Sequence, residues 1–332
     1  MKVIIPVAGA GTKLRPHTYT QPKALIPMAG KTILSVIIDA LTPFGFEEYI
    51  FVVGYLGDKI KDYVLKTYPD LNCTFVTQNE RKGTGHAIYL TKEAAQNEEL
   101  LIVYGDTICN FDVKAFIDIP GSVIGVKRVD DPRTFGVAEI AKDNSITKVV
   151  EKPSIPKSNM AMVGVYKIKE TEVLYQVLEE FMAAQASDDG EYHFTAAMQK
   201  MIERKVHFTA FKMNHWFDCG KKDALLETNT TLLKMMEETQ GQQSFDAFEN
   251  SVIIPPVSIA KGCTIRNSII GPSVSVGENS KIEASILQNS IIGSYATLEE
   301  VVLKSSVIGS DVYIHGMSQS LNIGDNTEID LG

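Results

Sequence analysis

Met1-Lys2-Val3-Ile4-Ile5-Pro6-Val7-Ala8-Gly9-Ala10-Gly11-Thr12-Lys13-Leu14-Arg15-Pro16 opens the chain and decides how the rest is read. Its apolar run is short and β-branched, and Gly9 ends it, so it reads as a buried first strand that passes straight into a loop. The run is too short for a signal segment or a membrane span, which predicts a cytoplasmic protein with no membrane partner. In the loop, Gly9 and Gly11 let backbone N–H groups approach a ligand closely, and the neighbouring Lys13 and Arg15 suit a polyphosphate. Two nucleotide motifs compete for this segment, and both fail. A dinucleotide fingerprint needs Gly or Ala where Leu14 stands, and Pro16 and Pro22 oppose the helix that should follow. Gly30-Lys31-Thr32 imitates the end of a P-loop, but the first glycine of that motif would fall at Leu25.

Outward from this strand, short apolar runs alternate with amphipathic stretches. Val3 to Val7, Ile50 to Val53, Thr74 to Thr77 and Leu100 to Tyr104 read as strands, whereas Ile33 to Leu41, Lys59 to Lys66 and Ala87 to Ala95 have helical spacing. That alternation predicts an α/β fold of βαβ units with a mainly parallel sheet, and ligands in such sheets bind beyond the C-terminal strand ends. Residues 221 to 238 read as a helix leading out of this domain, and Gly241-Gln242-Gln243-Ser244 reads as a linker. The division is therefore 1–240 and 241–332.

Beyond the linker the pattern changes. Ile259, Ile265, Ile270, Val276, Ile282, Leu287, Ile292, Leu298, Leu303, Ile308 and Ile314 recur every five or six residues, with turn-forming residues between them. The spacing is wrong for a helix. It fits a parallel β-helix better than a sandwich, because each short strand then sends one aliphatic inward and stacked coils share a core. Gly316 to Gly332 breaks the repeat as a cap would. This unit is expected to assemble copies of the chain into a homo-oligomer and to supply no catalytic group.

At 332 residues and 44% apolar composition, the chain has material for one large core and a smaller second unit. A formal charge of −9 opposes a hold on nucleic-acid phosphate, so nucleic acid is excluded as a partner. Cys73, Cys109, Cys219 and Cys263 form no CxxC pair, and the histidines show no HExxH spacing, so neither disulfides nor zinc is indicated.

Gln78-Asn79-Glu80-Arg81-Lys82-Gly83-Thr84-Gly85-His86-Ala87 reads on its own as a plain turn before a helix, with a glutamine amide that can present donor and acceptor together. Leu100 to Asp106 is a buried strand ending in a carboxylate at the ligand edge of the sheet. Mg²⁺ prefers one or two carboxylates plus phosphate oxygens, and Asp106 suits that task.

Taken together, Gly9 to Thr18 and Pro22-Lys23 resemble the signature loop of sugar-1-phosphate nucleotidylyltransferases, Gly-x-Gly-Thr-Arg-Leu-x-Pro-x-Thr followed by Pro-Lys. The arginine of that pattern is Lys13 here, which keeps the charge but loses the bidentate fork; Arg15 shares the task if the loop turns it inward. The resemblance implies that Ala8, Gly9, Gly11, Thr12 and Arg15 hold the nucleotide, and that Gln78, Gly83 and Thr84 belong to the base loop. It gives Lys13, Lys23, Asp106 and Lys152 the catalytic work. Phe135-Gly136-Val137 and Glu151-Lys152-Pro153 look like its sugar-side elements, with Gly136 and Glu151 on hydroxyls, Lys152 on the sugar phosphate and Tyr166 lining the pocket. Trp216-Phe217-Asp218-Cys219-Gly220 resembles Trp-x-Asp-x-Gly, which makes Asp218 the second Mg²⁺ ligand beside Asp106.

The architecture this implies is a Rossmann-like nucleotidyltransferase domain followed by a left-handed β-helix. The closing Leu321 to Ile329 looks most like long-form glucose-1-phosphate thymidylyltransferases, which favours dTTP and glucose 1-phosphate. The base loop also resembles N-acetylglucosamine-1-phosphate uridylyltransferases, so UTP remains open. Their Asn-Thr-Gly reads Met162-Val163-Gly164 here, which argues against an N-acetylated sugar. Two readings of other classes stand beside this one. A regulatory paralogue would bind nucleotide sugar without turnover, against which Lys23, Asp106 and Asp218 stand intact. An acyltransferase in the β-helix is opposed by its shortness and its single histidine, His315.

Overall fold

Runs rich in Val, Ile and Leu become strands where both sheet faces are covered, and this accounts for the first half of the chain. The computed structural model describes residues 1–184, 190–240, 248–319 and 321–330; the expected linker Gly241 to Ser244 lies outside the described residues. The chain forms two compact units, Met1–Gly9 with Ile37–Trp216, and Ala10–Val36 with Phe217–Gly332.

The first unit is built on a nine-stranded sheet. Along its main path the strands run in the order Ile146–Glu151, Gly136–Ile140, Met160–Ile168, Leu100–Val103, Lys2–Pro6, Tyr49–Val53, Cys73–Thr77. Lys2–Pro6 pairs in parallel with both Tyr49–Val53 and Leu100–Val103, and Tyr49–Val53 in parallel with Cys73–Thr77. The expected parallel core is therefore present. On its far side the sheet is mixed, because Met160–Ile168 runs antiparallel to Leu100–Val103 and to Ser122–Arg128. Leu174, Tyr175, Val177, Leu178, Phe194 and Met198 from two helices, Thr171–Ala183 and Phe194–Glu203, join one core with the sheet residues Ile4, Ile102 and Ile124.

The helical run read over Ala87 to Ala95 is interrupted. It forms two helices, Gly83–Tyr89 and Lys92–Ala95, and Thr91 Oγ1 donates to the Ile88 carbonyl at 2.7 Å between them. A side chain that takes a local carbonyl competes with the helical ladder, which explains the break. Buried charge is also satisfied: Lys167 Nζ donates to the carbonyls of Ile117 and Ile119, both at 2.7 Å, at the end of the helix Val113–Asp118.

The helix Lys222–Gln240 and a solenoid of short parallel strands make up most of the second unit. Stacked partners fix coil lengths of 17, then 16, then 15 residues: Ile265 over Ile282, Ile282 over Leu298, and Val307 over Asn322. The aliphatics from Ile265 to Ile314 in the five-to-six repeat are all buried, and Ile259 packs against them partly buried. Asn250, Asn267, Ala284 and Glu300 each turn a corner at positive φ, one per coil, so the backbone conformation repeats even where the residue type does not. The stack also runs further than the sequence pattern suggested. Asn322–Ile323 pairs with Val307–Ile308, and Glu328–Asp330 with Tyr313–His315, so the region after Gly316 adds a shorter coil instead of only a cap.

Buried serines tie one coil to the next. Ser285 N donates to Ser268 Oγ at 3.1 Å, Val301 N to Ser285 Oγ at 3.2 Å, and Ser306 N to Ser290 Oγ at 3.1 Å. Each hydroxyl takes up a corner N–H that the ladder leaves over. Ser285→Ala strands the buried N–H of Val301, and we expect urea unfolding to lose about 1–3 kcal/mol. Stability unchanged from wild type would mean that these hydroxyls only fill space.

Candidate functional site

Parallel register brings the ends of Lys2–Pro6, Tyr49–Val53, Cys73–Thr77 and Leu100–Val103 to one edge of the first unit. The chain reverses there at Ala8-Gly9, Gly54, Gln78 and Gly105-Asp106. Backbones come very close at this edge. A Cβ on Gly105 would sit 2.2 Å from Val7 Cγ1 and 3.0 Å from the Pro6 carbonyl, and one on Gly54 would sit 2.9 Å from Ala8 and 3.1 Å from the Gln78 carbonyl. Only glycine permits that approach.

Gln78 is buried, and its amide orientation is set by its partners. Nε2 donates to the Gly83 carbonyl at 3.1 Å and lies 3.0 Å from His86 Nδ1. Burial, and then the Lys82 charge, push the His86 pKa below its ordinary value, which favours a neutral ring that accepts at Nδ1. Both amide hydrogens are then engaged, and the capacity that remains is the Oε1 acceptor. The glycine loop after Gln78 is clasped by backbone: Gly85 N donates to the Tyr192 carbonyl at 2.6 Å and Tyr192 N to the Lys82 carbonyl at 2.8 Å. Thr84 Oγ1 accepts from Phe194 N at 3.1 Å, so its hydroxyl is part of this clasp.

Asp106 follows the strand Leu100–Val103 and is half-buried, with Thr107 Oγ1 at 3.4 Å from its Oδ1. Antiparallel pairing carries the edge onward. Tyr104 N donates to the Gly164 carbonyl at 2.9 Å, Ala161 pairs with Val137, and Gly136 pairs with Glu151, which sets Gly136 and Glu151 level with Met162. Thr195 Oγ1 donates to Glu151 Oε2 at 2.6 Å and fixes the carboxylate. Lys152 Nζ lies 3.6 Å from Glu151 Oε1, in a pair open enough to solvent to contribute little stability. Lys152 itself holds φ +40°, which is uncommon for a side-chain-bearing residue.

Tyr166 is buried, its ring 5.5 Å from Tyr104 and 5.3 Å from Phe194 between centroids. Burial pushes the phenol pKa values of Tyr104 and Tyr166 well above their ordinary range, so both stay neutral donors. The Trp216 indole packs edge-on against Phe135 at 4.8 Å, and its buried Nε1 has no hydrogen-bond partner among the described residues.

In the second unit the signature loop makes three single turns, Thr12–Leu14, His17–Tyr19 and Lys23–Leu25. Thr18 Oγ1 donates to the Gly11 carbonyl at 2.8 Å and folds the first turn onto the second. Thr12 and Lys13 are exposed and Lys23 is half-buried. Arg15 lies with its guanidinium 4.9 Å over the centroid of the exposed Tyr19 ring, a cation–π contact. Asp218 is exposed above a tight turn in which Gly220 N donates to the Asp218 carbonyl at 2.7 Å.

Thus Ala8, Gly9, Gln78, Gly83, Thr84, Asp106, Gly136, Glu151, Lys152 and Tyr166 belong to the first unit, and Gly11, Thr12, Lys13, Arg15, Lys23 and Asp218 to the second. Thr195, which fixes Glu151, lies in no sequence motif, and His86, which fixes Gln78, lies in the same quoted segment as Gln78 but in a pattern that gives no sign of their contact. No group of three or more His, Cys, Asp or Glu side chains that could hold a metal occurs among the described residues. The available carboxylates suit Mg²⁺ bound by one or two side chains and phosphate oxygens, which needs no protein cage.

Residues 2–235 match the nucleotidyl transferase family, and residues 234–330 match the GlmU-like C-terminal hexapeptide, in keeping with a left-handed β-helix. The bifunctional protein GlmU of Methanocaldococcus jannaschii is 36% identical over 265 residues, which cover 79% of this chain and 61% of that protein. The chain thus spans about three fifths of the length of such relatives. A glucose-1-phosphate thymidylyltransferase of Streptomyces griseus is 29% identical over 96% of this chain and 89% of its own length. The crystal structure of a UDP-glucose pyrophosphorylase with UDP-glucose shares the fold, with a TM-score of 0.61 and 23% identity over 70% of this chain and 98% of that one. No described helix is long and apolar enough to cross a membrane.

Proposed function

The chain belongs to the nucleotidyl transferase family, and on that premise we propose that it transfers a nucleoside monophosphate from a triphosphate to a hexose 1-phosphate with release of pyrophosphate. One observation carries the reading: a single sheet edge bears an oriented acceptor at Gln78 Oε1, a carboxylate at Asp106, and a clamped carboxylate beside a cation at Glu151-Lys152. Those are the groups that a base, a metal-bound phosphate and a sugar phosphate require.

The chemistry brings two highly charged anions together, so the residues must first cancel repulsion. Lys13, Lys23 and Lys152 carry the positive charge, and the backbone N–H groups around Gly9, Gly11 and Thr12 suit phosphate oxygens. Asp106 and Asp218 would hold Mg²⁺, which supplies charge neutralisation on the phosphates. The sugar phosphate oxygen attacks the α-phosphorus directly. An O–P bond forms as the bond to the pyrophosphate oxygen breaks, and positioning and electrostatics do the catalytic work. Gln78 Oε1 accepts the N3–H of thymine or uracil, a hydrogen that cytosine lacks.

We favour dTTP and glucose 1-phosphate, because the thymidylyltransferase relative is matched over nearly its whole length. A UTP-dependent reaction is the second reading, favoured by the higher identity to the GlmU proteins. We take residues 1–240 as the catalytic domain of a cytoplasmic enzyme. Residues 241–332 then serve self-association, with the exposed stack Val252, Ile269, Ile286 and Val302 as the surface to pair.

Asp106→Asn keeps shape but removes half of the anionic anchorage, and we expect kcat to fall at least about a hundredfold in a folded protein. Near wild-type turnover at saturating Mg²⁺ would remove Asp106 from the mechanism. Lys152→Ala should raise the KM of the sugar phosphate far more than that of the triphosphate. Equal effects on both would count against its assignment.

A further inference from the structure

The loop bearing Lys13, Arg15 and Lys23 is a poor candidate for holding its own shape. Its three single turns have no side-chain caps, and isolated turns of this kind are weak. Beside the Thr18–Gly11 bond, it has polar anchors on the β-helix and on the helix Lys222–Gln240 of the same compact unit.

At one end, the final coil meets residues 16–20. Gly324 gives Pro16 room: a Cβ added there would stand 3.1 Å from Pro16 Cβ and 3.2 Å from its Cγ. Buried His17 contacts Asn322 through Nε2 and Oδ1 at 2.7 Å, a bond in which the ring N–H donates. Thr20 Oγ1 donates to Asp325 Oδ2, while Asp325 Oδ1 accepts from Ser310 N at 2.7 Å. A single carboxylate therefore joins the loop to two successive coils. At the other end, Ala29 N donates to Asn229 Oδ1 at 2.8 Å and to Ser275 Oγ at 3.1 Å, and Ser275 Oγ donates to Asn229 Oδ1 at 2.6 Å. Lys23 lies between the two anchorages.

We propose that the last coil of the β-helix sets the position of the signature loop, with Asn322 and Asp325 as positioning residues for the lysines that meet the triphosphate. The inference rests on the transferase reading for what the loop does, but not for how it is held. It gives the β-helix a part in the reaction that assembly alone does not require. The anchorage is polar and directional. Truncating it should therefore release the loop; Asp325→Ala also removes the tie to Ser310 N, but the aliphatic core, which uses other side chains, should keep the coils stacked.

The test uses the full chain carrying Asn322→Leu with Asp325→Ala, each single variant, and the conservative pair Asn322→Asp and Asp325→Asn. Amide hydrogen exchange should quicken about tenfold or more over residues 11–25, with residues 264–304 as protected as in wild type. With dTTP or UTP and glucose 1-phosphate, the triphosphate KM should rise about tenfold and the sugar phosphate KM less than about twofold. The conservative pair should recover most of both losses. Unchanged exchange over 11–25 would overturn the proposal whatever the enzyme does, and so would a rise of both KM values together. If wild type turns over none of these substrates, the transferase reading falls and exchange alone decides the anchorage. Should the double variant unfold, the single variants are judged by the same two readouts.

Discussion

Close backbone approach at the edge where Lys2–Pro6 ends is the constraint on which the first unit's site depends. Gly105 lies against Pro6 and Val7, and Gly54 against Ala8, with no room for a Cβ. This lets four chain reversals share one edge, so that Gln78 and Asp106 are carried there by parallel register instead of by loop sequence. The antiparallel strands extend the same edge, and Gly136 and Glu151 arrive at it paired with each other. Side chains off the edge then fix the functional groups: His86 turns the Gln78 amide and Thr195 holds the Glu151 carboxylate. Such support is what would keep the site within the tolerance that the proposed phosphoryl transfer demands.

The second unit solves a different problem by repetition. Each coil contributes inward aliphatics, a corner at positive φ and a serine hydroxyl for the coil above, so stability accumulates from neighbour to neighbour. Its final coil departs from the repeat in length and in chemistry, with Asn322 and Asp325 turned to polar partners. The departure falls where the loop of residues 16–20 meets the solenoid. Repetition thus builds the scaffold, and the exception to it carries the contact.

What the sequence made legible follows from periodicity. The helix Ile33–Leu41 and the strand Tyr49–Val53 fall where the apolar spacing put them, to within a residue, and the five-to-six repeat marks the buried aliphatics of the solenoid. Local competition hid the break at Thr91, because a hydroxyl taking a nearby carbonyl leaves no trace in hydrophobic spacing. The last coil was hidden by its shortness, since Leu321 and Ile323 fall off the earlier beat though they pack against the same core. The signature segment Gly9 to Gly30 reads as the loop of the first strand, yet contacts group Ala10–Val36 with the unit that holds the β-helix. Side chains 305 residues apart, His17 and Asn322, make that association, and spacing alone cannot announce a bond of such range. The same holds for Thr195, which reaches Glu151 from 44 residues away on a helix with no motif of its own.

The central claim is that one chain joins a nucleoside triphosphate to a sugar phosphate. It is tested most directly by a matrix of nucleoside triphosphates against hexose 1-phosphates, with Mg²⁺ present, scored for pyrophosphate and for nucleotide sugar together. The account predicts that both products appear in equal amounts, only where both substrates are present, and faster with dTTP or UTP than with CTP. Pyrophosphate released without a sugar phosphate, or no turnover anywhere in the matrix, would contradict it.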